Sequence, residues 1–204
     1  DSTSFPSKRL FSIVESPKGI LWIGSNEGLI RFDISTTKSK IFLARKNQDN
    51  SLADNYVGIV TADQVGNIWL TCDSGLTRFN TISFAAEYFQ QSPFSNTIEL
   101  GHVTDIINIG DILLITCNAG LLEINIKFKT DKLLFPTSAI QTAEHTPVFQ
   151  RVMPFSNHQY AIGTNKGLLL IDEAANIISL AQNDVSDEKS ISHNNILSLL
   201  KSND

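Results

Sequence analysis

Trp22-Ile23-Gly24-Ser25-Asn26-Glu27-Gly28-Leu29-Ile30-Arg31-Phe32-Asp33 returns as Trp69-Leu70-Thr71-Cys72-Asp73-Ser74-Gly75-Leu76-Thr77-Arg78-Phe79-Asn80. It returns twice more, as Leu114-Ile115-Thr116-Cys117-Asn118-Ala119-Gly120-Leu121-Leu122-Glu123-Ile124-Asn125 and as Ala161-Ile162-Gly163-Thr164-Asn165-Lys166-Gly167-Leu168-Leu169-Leu170-Ile171-Asp172. The aligned glycines Gly28, Gly75, Gly120 and Gly167 lie 47, 45 and 47 residues apart. A strand-like unit repeating every roughly 40–50 residues is the signature of β-propeller blades, each a small antiparallel sheet.

Outward from this hairpin, each unit reads as four strands. A first, alternating strand, Leu10-Phe11-Ser12-Ile13-Val14 or Val57-Gly58-Ile59-Val60, runs to a turn at Gly19, Gly66 or Gly110, which Asn157-His158 replaces in the fourth copy. The second strand carries Trp22 or Trp69, and the third follows the aligned glycine. Asn, Asp or Ser before that glycine suits a hairpin whose glycine takes positive φ. A fourth, less regular strand is expected at Ile41-Phe42-Leu43, Tyr88-Phe89, Leu133-Leu134-Phe135 and Ile177-Ile178-Ser179-Leu180.

A second motif sets the phase. Ser51-Leu52-Ala53-Asp54-Asn55-Tyr56-Val57 matches Ser190-Ile191-Ser192-His193-Asn194-Asn195-Ile196, and Ser4-Phe5-Pro6-Ser7-Lys8-Arg9-Leu10 is a decayed copy. The repeats therefore span about residues 4–50, 51–95, 96–142 and 143–189, with a partial fifth over 190–204. The expected fold is all-β: one propeller segment of four four-stranded blades plus the start of a fifth, an arc of a larger propeller, because an unclosed arc leaves blade edges exposed.

Bulk composition narrows the function. A chain of 204 residues can bury a substantial core, and 42% hydrophobic with 18% charged residues is the balance of a folded protein. A net charge of -5 argues against nucleic acid, whose binders normally present a basic face to the phosphates. The apolar runs Ile112–Ile115 and Leu168–Ile171 are strand-sized, too short to span a bilayer. Asp1-Ser2-Thr3-Ser4 shows no basic-then-apolar leader, so localisation is not legible in the residues themselves. Cys72 and Cys117 occupy equivalent positions of neighbouring repeats and read as free, buried thiols without metal or nucleophile partners. No cofactor motif is present, and none is expected.

The pattern Gly-x-[Ile/Leu]-Trp-[Ile/Leu]-[Gly/Thr]-x-x-x-Gly-Leu-x-Arg-Phe-[Asp/Asn], read at Gly19–Asp33 and Gly66–Asn80, with Ser-Leu-x-x-Asn-x-Val at Ser51–Val57, resembles the two-component regulator propeller repeat. The resemblance covers nearly the whole chain. It weakens in the third and fourth units, where Leu114 and Ala161 replace tryptophan and Glu123 and Leu170 replace arginine. It implies a periplasmic sensor region of a Bacteroidetes hybrid two-component histidine kinase, many of which sense oligosaccharides. Its partners would be further blades and signalling domains of the parent chain. His102, His145, His158 and His193 lie in strand or turn contexts, so no phosphoacceptor histidine is expected here.

Ligand contacts in such a fold come from loops at one face or the channel mouth, and a sugar asks for Asn, Asp, Gln and Arg beside an aromatic platform. Asn26, Glu27, Asp73, Asn118, Asn165 and Lys166 sit at hairpin tips and recur at one end of each blade; turn chemistry alone would also account for them. Arg31 and Arg78 either bind an anionic sugar or serve structure, capping a strand end or pairing with Asp33. Trp22 and Trp69 read as core rather than as stacking platforms. The longest departures from the repeat, residues 90–101 and 135–147, bring in or adjoin Tyr88, Phe94, Glu99, His102, Glu144 and His145, with no common pocket evident. With no His-Glu-x-x-His helix, Gly-x-Ser-x-Gly elbow, phosphate loop or paired-cysteine metal site, this segment is not expected to be an enzyme, any kinase lying outside the chain. Two alternatives to the sensor stay open, the second of them the weaker. One is an assembly module, with a homodimer formed through open blade edges; the other is a propeller lyase or lactonase gathering Glu, Asn, Asp or His around a channel metal.

Overall fold

The computed structural model describes residues 6–46, 48, 50–73, 75–140, 147–156 and 159–200. Among the described residues sixteen strands form four antiparallel sheets, each in simple chain order. The first blade is β1 (Leu10–Glu15), β2 (Ile20–Ser25), β3 (Gly28–Asp33) and β4 (Lys38–Phe42); the second is β5 (Val60–Ala62), β6 (Asn67–Cys72), β7 (Gly75–Asn80) and β8 (Ala86–Phe89). The third is β9 (Val103–Ile109), β10 (Ile112–Cys117), β11 (Gly120–Asn125) and β12 (Thr130–Pro136); the fourth is β13 (Phe149–Ser156), β14 (Gln159–Thr164), β15 (Gly167–Asp172) and β16 (Ile177–Ala181). The blades follow one another as an unclosed arc, the propeller architecture expected of the repeats.

The aligned glycines are required by a close approach as well as by backbone conformation. At Gly120, φ is +139°, and a Cβ would stand 2.0 Å from the carbonyl oxygen of Phe135 on β12. Gly28 meets Phe42 on β4 in the same way, at 2.3 Å. The fourth strand presses on the hairpin, so a side chain there would break the ladder that closes the blade.

Alternation along the strands gives each blade two apolar faces. Trp22 and Leu29 of the first blade pack against Ile68, Leu70 and Phe79 of the second. Trp69 and Leu76 pack against Leu113, Ile115 and Leu122 of the third, and Leu114 and Leu121 against Ile162, Leu169 and Ile171 of the fourth. The core is thus a series of layers between blades. Trp22 and Trp69 are almost fully buried, each with its indole N–H satisfied, by the Ser16 carbonyl at 2.7 Å and by Asp63 Oδ2 at 2.9 Å. Where Leu114 stands in for tryptophan, Phe135 and Phe149 fill the layer, stacked 6.1 Å apart.

The Ser-x-x-x-Asn-x-[Val/Ile] motif is the link between blades. Asn55 Oδ1 accepts the Ala44 N–H at 2.7 Å, and Asn194 Oδ1 accepts the Asn183 N–H at 2.6 Å. Ser51 and Ser190 accept the next N–H, from Arg45 and Asp184. Val57 and Ile196 then donate their N–H groups to the Ser25 and Thr164 carbonyls of the preceding blade, both at 2.9 Å. This explains a difference from expectation: β5 starts at Val60, not Val57, because the N–H of Val57 is spent on the neighbouring sheet. β4 likewise ends at Phe42, one residue before the expected Leu43. The expected turn at Asn157-His158 lies outside the described residues.

Candidate functional site

The hairpin tips are bound into the frame. Asn26 donates its N–H to the Arg9 carbonyl and accepts the Ser7 hydroxyl on Oδ1 at 3.0 Å. Asn165 donates to the Val148 carbonyl and accepts the Val148 N–H on Oδ1 at 2.9 Å. The N–H of Asn118 bonds the Leu100 and His102 carbonyls, and its amide lies over Gly101. His102 in turn donates Nδ1–H to the Asp73 carbonyl at 3.1 Å, joining the tips of the second and third blades. The Lys166 carbonyl accepts the Gln182 amide, while Glu27 is exposed. Beside Asn118 a cleft of about 390 Å³ opens between Cys117, Thr137, Pro147, Val148 and Phe149. Glu144 and His145, next to it in sequence, lie outside the described residues.

The two arginines differ. Arg78 is ion-paired with Glu87, its cross-strand partner on β8, and its guanidinium stands 5.7 Å from the Trp69 ring and 5.9 Å from Phe89. Arg31 lies opposite Trp22 and Lys40 in the first blade. The considered pairing of these arginines with Asp33 is not formed: Asp33 Oδ1 accepts from the Ser35 N–H, the Ser35 hydroxyl and the Thr36 N–H, closing its own turn.

At the opposite end of the blades a second groove runs between the second and third sheets. It measures about 460 Å³ and is lined by Gln64, Val65, Asn67, Arg78, Phe94, Gly110, Asp111, Ile126, Lys127 and Lys129. Arg78 and Asn67 also line an adjoining cleft of about 510 Å³, with Asn50, Asn80 and Glu87. The walls are held by the backbone. Asp63 accepts the Val65 and Asn67 N–H groups, Ile126 donates to the Asp111 carbonyl, and Phe94 and Ser95 donate to Asp131 Oδ2 at 2.7 and 2.9 Å. Phe94, in a departure from the repeat, is thereby pinned to the third blade. Asp63, Lys127 and Lys129 were not singled out from sequence. Asp63 had a legible signal, since it stands three residues before Gly66 and six before Trp69; the lysines had none beyond lying in a turn.

The buried ionisable groups are structural. Asp105 on β9 accepts the Val152 N–H at 3.0 Å and the Ile106 N–H, joining the third and fourth blades. Burial pushes its carboxyl above the usual range, against those hydrogen bonds and the nearby Arg151. Burial also raises both thiols, Cys72 to about 11, and both are free. Among the described residues no three His, Cys, Asp or Glu side chains gather as a metal site requires, and no helix is long and apolar enough to cross a membrane.

The fold defines the class of protein: an arc of four-stranded propeller blades. Neither a protein-family model nor a curated protein matches the chain. Among solved structures it is similar to the extracellular domain of a protein described as a hybrid two component system of B. thetaiotaomicron, with TM-score 0.77 and 18% identity over 97% of this chain. A second such extracellular domain from that organism matches with TM-score 0.70 and 19% identity over 87% of this chain. The chain spans 25% of the length of each. Virginiamycin B lyase of Staphylococcus aureus shares the fold more distantly, with TM-score 0.59 and 14% identity over 87% of this chain and 56% of the lyase. These neighbours and the sequence repeat thus point to the same propeller fold.

Proposed function

We propose that this chain is a sensory segment of an extracytoplasmic propeller, that it takes part in recognising an oligosaccharide, and that it reports binding by a changed arrangement of domains. The observation that carries the reading is the likeness in fold, over 97% of the chain, to the extracellular domain of a hybrid two component system. The Trp-x-x-x-x-x-Gly-Leu-x-Arg-Phe repeat and the Ser-Leu-x-x-Asn-x-Val link support it independently. Rigid blades suit the task, because a ligand shifts an equilibrium between arrangements only by its differential affinity for them. The test is the parent gene on both sides of this chain. Further repeats, a transmembrane segment and a kinase are expected; their absence overturns the reading.

A second reading, an assembly role, is favoured by apolar side chains exposed on the first blade, Leu10, Phe11 and Ile13 on β1. In the sensor reading further blades of the parent cover them; in the assembly reading a second copy does. Sedimentation of the chain at several concentrations separates the two: a monomer throughout excludes the homodimer.

A further inference from the structure

We infer that the groove between the second and third blades, at the end opposite the hairpin tips, is a binding site for an acidic sugar unit. Three observations converge there. First, Arg78, Lys127 and Lys129 line one concavity with Asp111, and because Glu87 already neutralises Arg78 the excess positive charge is that of the two lysines, in a chain whose net charge is -5. A local excess of positive charge on an acidic protein concentrates anions at that spot. Arg78 is held by Glu87 and the Trp69 ring, so its guanidinium is fixed without help from a ligand; Lys127 and Lys129 are exposed on the turn between β11 and β12.

Second, the groove carries the other contacts a sugar needs. Gln64 offers an amide and the adjoining cleft adds Asn50, while the Asn67 and Asn80 amides are bonded to Asp63 and to each other and so shape the wall, and Phe94 with Ile126 supplies an apolar face for the C–H side of a pyranose. A volume of about 460 Å³ falls within the roughly 300–1,000 Å³ of small-ligand pockets. Third, the cleft is built before any ligand arrives. Asp131 pins Phe94, Asp111 pins Ile126, and the Gln64 amide lies 3.7 Å from the position of a Cβ on Gly110, across the junction of the two blades. A ligand there touches two blades at once. The carbohydrate character rests on the sensor reading; the anionic preference rests on the groove alone.

The experiment is calorimetric titration of the full chain with α-1,4-digalacturonate and with α-1,4-galactobiose, which differ only in carboxylate against hydroxymethyl at C6. The native chain is expected to bind the acidic disaccharide more tightly. The double variant Lys127→Gln/Lys129→Asn should weaken it about tenfold, the size of two exposed charge contacts, and leave thermal unfolding unchanged. Asn is chosen at 129 because φ there is +53°. Acidic binding that the double variant does not weaken, or no acidic binding at all, overturns the inference. Sodium sulfate competing as strongly as the disaccharide also overturns it, reducing the groove to a simple anion site. Equal binding of galactobiose, indifferent to the lysines, overturns it while leaving the sensor reading intact.

Discussion

The two ends of the blades use their polar residues in opposite ways. At the hairpin tips Asn26, Asn118 and Asn165 recur at one repeat position, and their backbone N–H groups all bond the segment leading into the blade's first strand. At the other end, Lys127, Lys129 and Phe94 have no counterpart in the other blades, and they line the groove between two sheets. Recurrence in a repeat marks what every blade needs in order to close; departure from the repeat marks what one junction does alone.

The largest effect that tests this contrast is on stability. Trp69→Ala empties the layer between the second and third blades and should cost about 3–5 kcal/mol in denaturant unfolding; a loss below about 1 kcal/mol would mean that the layers are not the core. At a tip, Asn165→Ala removes the acceptor for the Val148 N–H and should cost about 1 kcal/mol while leaving affinity for digalacturonate unchanged. A large loss of affinity with no loss of stability would reverse the roles of the two ends.

The junction of the third and fourth blades should depend on pH through Asp105. Burial raises its carboxyl in the folded chain, so its contribution to stability is fully present below the ordinary carboxylate range and is lost as pH rises through the raised value. Asp105→Asn cannot ionise, so its stability relative to the native chain should improve from pH 4 to pH 7 in paired melts. A constant difference would show that the carboxyl is not perturbed. Smallest in energetic terms, Cys72 and Cys117 should resist a thiol reagent at pH 8 until the chain unfolds, burial having raised Cys72 to about 11; rapid labelling of the native chain would show that the layers open readily.

The repeat made the blades legible because each needs the same parts, a glycine under the fourth strand's carbonyl and an apolar residue facing the next sheet, and because a Ser-x-x-x-Asn link recurs at two of the junctions. What the sequence hid was pairing between sheets. That Val57 bonds the first blade, that Asp63 closes a turn and satisfies Trp69, and that Asp131 draws Phe94 to the third blade are contacts across loops. Period and composition carry no trace of the Val57 and Asp131 contacts, whereas Asp63 is signalled by its fixed place before Gly66 and Trp69. Arg78 was visible as a candidate, but its company of Lys127, Lys129 and Phe94 depends on two sheets meeting face to face.

The most direct measurement is amide hydrogen exchange of the full chain with and without saturating α-1,4-digalacturonate. The account predicts added protection in residues 64–67, 110–111 and 126–129, with the tips at Asn26, Asn118 and Asn165 unchanged. Protection confined to the tips, with the groove unaffected, would contradict it.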